Sequence, residues 1–180
     1  MKFTECRLAG AYIFYPEKLE DERGYFARFF CEKGFAAIGI EFKCVQISLS
    51  HNKKNGTLRG MHMQAEPYAE AKIVQCVKGE IFDAIVDLRK DSPTYMSWES
   101  FILSCDNRNA LYIPKGFAHG FQTLADDSDV LYFMDEFYHH EAACTFNYLD
   151  KSIGIYWPDC DNRTISQKDL EATDLCEMLS

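Results

Sequence analysis

The chain predicts an all-β fold, a jelly-roll β-barrel with a few short peripheral helices, and three observations carry that expectation. Turn-forming residues recur about every eight to twelve positions. The apolar runs between them are short and rich in Ile, Val, Phe and Tyr, the side chains that suit a pleated, half-buried surface. Helix-period patterning is sparse. Short, evenly spaced strands favour a closed jelly roll over an open sheet, and such a barrel has an interior able to hold a small ligand.

Taken in order, the apolar segment Ala11 to Tyr15 reads as a strand, and Cys31 to Ile38 as a short helix. Lys72 to Val77, a turn at Lys78-Gly79-Glu80 and Ile81 to Leu88 read as a β-hairpin with alternating faces. Further strands are expected at Ser97 to Leu103, Asn109 to Ile113, Gly120 to Thr123 and Asp129 to Glu136. The acidic tail from Lys168 to Leu179 reads as a helix capped by Ser166.

At 180 residues the chain fits one domain, 1–180, long enough to bury roughly 70% of its unfolded surface without staples. Neither a repeat nor a linker interrupts it. The net charge of −9, with no basic run longer than a pair such as Lys53-Lys54, argues against nucleic acid. An anionic ligand must therefore be held by a few local cations. Nothing approaches the ~20 apolar residues of a membrane span, and the amino terminus lacks the apolar core of a signal peptide. The eight cysteines (Cys6, Cys31, Cys44, Cys76, Cys105, Cys144, Cys160, Cys176) form no C-x-x-C pair and read as buried small hydrophobes in a protein of the reducing cytoplasm.

Two segments carry the chemistry. Thr57 to Gln64 (TLRGMHMQ) and Pro114 to Phe121 (PKGFAHGF) each set one histidine, His62 or His119, beside glycine-bent backbone. Two histidines and an arginine brought together inside a small β-structure suit reactions of a polar, phosphorylated small molecule.

With DERGYF (Asp21 to Phe26), TLRGMHMQ, KIVQCVKGEIFDAIVDLRKDSPTY (Lys72 to Tyr95), YIPKGFAHGF (Tyr112 to Phe121), VLY (Val130 to Tyr132), SIGIYWP (Ser152 to Pro158) and ISQKDL (Ile165 to Leu170), the chain resembles the dTDP-4-dehydrorhamnose 3,5-epimerase family of the cupin superfamily almost end to end. The resemblance implies a cupin-like jelly roll and a nucleotide-linked 4-keto-6-deoxy sugar as substrate. The ketone acidifies the hydrogens on both neighbouring carbons, so a base, an acid across the ring and a cation near the ketone oxygen suffice, and no redox cofactor or metal is called for.

By the same resemblance His62 is the base, suited by an ordinary imidazole pKa of about 6.5. Asp169 is the carboxylate that orients it, Lys72 faces the developing oxyanion, and Tyr132 is the acid on the other face. Arg23, Arg59 and Lys168 match diphosphate contacts, Tyr138 the aromatic that stacks on the base, His119 a residue lining the sugar and phosphate site, and Gln46 and Ser48 positions on the substrate side. Blander roles compete: His119 as a loop support, Tyr132 as a core residue, Lys72 as a solvated edge charge, Asp169 as a partner of a helix dipole.

The chain departs from the family pattern where Ile47-Ser48 replace Asp-Asn, where a residue is added before Arg59, and at Arg28 and Ala143, which stand at acidic positions. All are on the nucleotide side. Two alternatives follow: a metal-dependent cupin enzyme, for which His62 and Gln64 would be a poor first ligand pair, and a nucleotide-sugar-binding module without turnover. The resemblance also implies a homodimer in which an amino-terminal strand, expected at Ala11 to Tyr15, crosses to the partner's sheet. Arg23 would follow it into the partner's site, and a change at Phe14 would loosen both dimer and nucleotide.

Overall fold

The computed structural model describes residues 1–175. Its strands are β1 (Lys2–Glu5), β2 (Tyr12–Tyr15), β3 (Lys18–Asp21), β4 (Gly24–Ala27), β5 (Gln46–Asn52), β6 (Thr57–Gln64), β7 (Lys72–Lys78), β8 (Glu80–Asp87), β9 (Trp98–Ser104), β10 (Ala110–Ile113), β11 (Phe117–Thr123), β12 (Ser128–Met134), β13 (Ala143–Thr145) and β14 (Thr164–Ile165). The helices are α1 (Glu32–Ala36) and α2 (Gln167–Leu170), with a single 3₁₀ turn at His140–Ala142. One sheet runs β1-β2-β10-β7-β12-β5. The facing sheet runs β13-β6-β11-β8-β9, with β14 parallel to β6, and β3 and β4 pair only with each other.

The walls of this cupin-like jelly roll meet through alternate side chains. Val74 and Cys76 of β7, Ile81 and Ile85 of β8, Phe117 and Phe121 of β11 and Val130 of β12 form one buried cluster between the sheets. The outward residues are buried as well, which is why β8 is buried along most of its length rather than at alternate positions. Ala84, Val86 and Ala118 lie under Phe146, Ile155, Trp157 and Leu175 of the carboxy-terminal segment. Ile73, Ala110 and Phe14 lie under Phe35 of α1 and Phe42, with the Phe14 and Phe35 rings edge to face at 5.3 Å.

Several expectations need correction. Lys72–Lys78 and Glu80–Asp87 are strands, but they do not form a hairpin: β7 pairs with β10 and β12, β8 with β9 and β11. The Gly79 turn is a corner that carries the chain from one sheet to the other, so the apolar alternates of both strands meet face to face across the core. Gly79 has φ +75, and a Cβ there would strike Ser128. β11 begins at Phe117 rather than Gly120, because Phe117 and Ala118 continue the ladder against Asp87 and Val86. His119 therefore stands inside a strand. Helix α1 is shorter than Cys31 to Ile38, and Cys31 flanks it without a side-chain cap.

Of the seven described cysteines, all free, only Cys76 is buried; the others are half-exposed, so the expectation of buried cysteines fails for six. The segment Tyr12–Tyr15 is held on both sides within the chain, by β1 and β10, and is not available to cross to a partner. Phe14 lies wholly in the chain's own core. Ser166 does cap α2, its hydroxyl accepting from the Asp169 amide at 3.2 Å, but the helix ends at Leu170 rather than running on towards Leu179, and the part of that expectation beyond residue 175 lies outside the described residues. Among the described residues, no helix is long and apolar enough to cross a membrane.

Candidate active site

The site forms at one mouth of the barrel, where a close approach of β6 and β11 sets the two histidines side by side. Gly60 (φ +127) and Gly120 face each other so tightly that a Cβ on Gly60 would come within 2.6 Å of the Gly120 Cα, and one on Gly120 within 2.9 Å of the Arg59 carbonyl. The register between these strands slips between His119 and Phe121, and His62 becomes the direct partner of His119.

His62 Nε2 lies 2.7 Å from Asp169 Oδ1. The carboxylate fixes the ring with its proton on Nε2 and leaves Nδ1 as the free basic nitrogen. Asp169 comes from the first turn of α2, which the two-residue strand β14 and the Ser166 cap hold against β6. Burial by itself would raise the Asp169 carboxyl; the hydrogen bond and charge of His62, with Ser166 and the Gly60 amide, hold it below the usual carboxylate range.

The facing sheet supplies Lys72 and Tyr132. Lys72 opens β7 but is buried rather than a solvated edge charge, and its Nζ pairs with Glu70 Oε1 at 2.8 Å. The approach to it is fixed by the Ala71 amide, which donates to Asp135 at 2.6 Å. Tyr132 on β12 sets its ring edge-on to His119 at 5.9 Å, bridging the two walls. Burial first, then the charge of Asp83, push its phenol well above the usual value against the pull of Arg59. A phenol so placed keeps its proton until a stronger base forms beside it. The His62–Asp169 pair and Tyr132 thus stand on opposite walls.

Behind them lies Asp83, wholly buried, whose Oδ1 is 2.7 Å from His119 Nε2 and whose Oδ2 has no hydrogen-bond partner among the described residues. Desolvation raises its carboxyl against the opposing effects of His119 and Lys72. Neither Asp83 nor Glu70 was expected from the sequence. A lone aspartate at an inward position between Ile81 and Ile85 was the signal for the first.

A cleft of about 260 Å³ brings His62, Tyr138 and Lys168 together with Gln64, Glu70 and Cys144. Tyr138 is exposed, on backbone gripped from both sides. Gln46 Oε1 accepts from its amide at 2.9 Å, and Gln64 accepts from the His139 amide at 2.6 Å and donates to the Phe137 carbonyl at 3.0 Å. Gln46 Oε1 therefore supports the backbone that carries the aromatic. Ser48 is the cross-strand partner of Tyr132, and Arg59 Nε donates to Asn52 Oδ1 at 2.8 Å. Arg23 is not brought to this cleft. It sits at the turn of the exposed β3–β4 hairpin, its guanidinium 2.6 Å from Asp21.

A barrel with a histidine–carboxylate pair on one wall and a buried lysine and phenol on the other has the layout of an isomerase that moves protons on a small ligand. The family model for dTDP-4-dehydrorhamnose 3,5-epimerase matches residues 5–177. The chain belongs to that family. It is 42% identical over 171 residues to the dTDP-4-dehydrorhamnose 3,5-epimerase of Shigella flexneri, covering 94% of this chain and 93% of that one. The solved enzyme of the same name from Elizabethkingia anophelis superposes with a TM-score of 0.95 at 35% identity, covering 98% and 97% of the two chains. The Legionella pneumophila dTDP-6-deoxy-D-glucose-3,5-epimerase, solved with dTDP-4-keto-L-rhamnose, gives a TM-score of 0.92 at 36% identity over 97% and 93%. The match favours neither the metal-dependent alternative nor the non-catalytic one.

Proposed function

We propose that this chain inverts carbons 3 and 5 of dTDP-4-dehydro-6-deoxyglucose to give dTDP-4-dehydrorhamnose, working as a single catalytic domain in a reducing cytoplasm. The observation that carries the reading is the opposition of the His62–Asp169 pair on one sheet and Tyr132 on the other. His62 Nδ1 takes the proton from the carbon beside the ketone. The Lys72 ammonium holds the negative charge that develops on the ketone oxygen, where a fixed cation in a partly dry site favours the transition state over the ground state. Tyr132 returns a proton to the opposite face. Repeating the cycle at the second carbon completes the reaction. At the nucleotide end Tyr138 stacks on the base, and Arg59 and Lys168 meet the diphosphate.

Proton NMR of dTDP-4-keto-6-deoxyglucose in heavy water tests this directly. Loss of both ring hydrogens with a rhamnose-configured product is the expected result. Loss of one would make the protein a single-centre epimerase, and loss of neither would remove the reading.

The homodimer belongs to the same proposal, with the exchanged element moved to the β3–β4 hairpin. Leu19 and Phe26 stand exposed on that hairpin, and β5 is an open sheet edge with Ile47 and Leu49 exposed. An arm laid along the partner's β5 would deliver Arg23 to the partner's diphosphate site. Phe26→Asp is expected to give a monomer on gel filtration with weakened dTDP binding. A clean monomer of unchanged affinity would end the shared-site idea.

A further inference from the structure

Glu70 has no place in the chemistry above, yet it lines the same cleft as His62 and lies two residues before Lys72, on the same side of an extended chain. Its side chain is 9% exposed and that of Lys72 10%, so the pair is largely withdrawn from water. A buried ion pair is a poor source of stability. A carboxylate is also repelled by a diphosphate, which places Glu70 at the sugar end of the cleft. Its Oε1 takes one of the three ammonium donors of Lys72, leaving Oε2 as an acceptor and two ammonium donors beyond this pair.

We propose that Glu70 reads the hydroxyl on carbon 3, forming with Lys72 a donor–acceptor pair that fits the hydroxyketone edge of the sugar. The inference rests on the proposed function through the role given there to Lys72. When the carbon-3 proton leaves, carbons 3 and 4 become a planar enolate with the former ketone oxygen and the carbon-3 hydroxyl side by side in one plane. Lys72 donates to the oxyanion and Glu70 accepts from the hydroxyl, so the pair grips the planar intermediate better than the puckered ketone. Carbon 5 carries the ring oxygen and no hydroxyl, and deprotonation there gains nothing from Glu70. Glu70 thus ties catalysis at one centre to a free hydroxyl at that centre.

The test follows exchange at carbons 3 and 5 separately, by proton NMR in heavy water with dTDP-4-keto-6-deoxyglucose. Glu70→Ala should slow exchange at carbon 3 roughly 10–10²-fold more than at carbon 5, the scale on which losing a partner for a substrate hydroxyl shows. Glu70→Gln, which keeps an acceptor oxygen and the shape of the side chain, should recover part of that difference and serves if the alanine variant does not fold. Binding of dTDP should stay within about twofold. Equal loss at both carbons would reduce Glu70 to a tether for Lys72 and overturn the proposal, as would no loss or a parent protein that exchanges only carbon 5. A parent that exchanges neither hydrogen would refute the proposed function itself, an outcome visible before any variant is made.

Discussion

Two histidine–carboxylate pairs stand one strand apart on the same wall of the barrel, and in each an imidazole Nε2 lies 2.7 Å from an aspartate oxygen. The His62 side chain is 40% exposed, whereas that of His119 is 4% exposed and its partner Asp83 is wholly sealed. Asp169 is held below the usual carboxylate range, while Asp83 is pushed above it. The same two groups at the same distance therefore differ in what they offer a ligand. The open pair has a free nitrogen facing the cleft and a carboxylate prepared to steady a positive ring. The sealed pair keeps behind the site a carboxyl for which burial makes charge costly, close enough to act on Tyr132 and Lys72.

The contrast breaks most visibly at its open end. His62→Ala is expected to reduce solvent exchange into the substrate by at least the ~10²–10⁴-fold typical of a lost general base, with dTDP affinity nearly unchanged. Substantial residual exchange would move the base elsewhere, the neighbouring His119 first. Tyr132→Phe comes next: full inversion should fall roughly 10²-fold while the first deprotonation falls much less, because the acid is gone and the base remains. Equal losses in both would make the phenol a positioning group.

The smallest effect belongs to the sealed pair. A carboxyl whose folded-state pKa lies above its unfolded one destabilises the fold progressively as pH rises from the unfolded value towards the folded one, and fully beyond it. Asp83→Asn removes that charge while its amide oxygen still accepts from His119. Its melting temperature relative to the parent should therefore rise with pH from roughly pH 4 upward, by about 2–4 °C for each ~1 kcal/mol recovered in a chain of this size. A difference that is flat with pH would show that Asp83 is not carrying a buried charge.

Much of this was legible in the chain itself. Strands announce themselves by composition and spacing, so β7, β8, β9, β10 and β12 lie close to their expected places. Which strands pair does not follow from such local signals: the Gly79 turn has hairpin chemistry, but the apolar faces it joins are buried against each other across the core. β5 and the β3–β4 hairpin are exposed along much of their length, apolar side chains included, and were not expected as strands. The His62–Asp169 pairing spans most of the sequence and was suggested only by family resemblance. Asp83 was missed because an isolated acid in a strand reads as a surface residue until its surroundings close over it, and Glu70 because it lies just ahead of β7.

The carboxy-terminal segment does two jobs with one length of chain. It lays Phe146, Ile155, Trp157 and Leu175 over the apolar back of one sheet and brings Asp169 to His62. During synthesis every strand of both walls up to Thr145 emerges before either job is done. A chain stalled or clipped before Ser166 would have a barrel with an incompletely covered greasy back and an unarmed histidine, at once adhesive and silent. Completion of the cover by Leu175 and arrival of Asp169 beside His62 thus come from one short stretch of chain, residues 166–175.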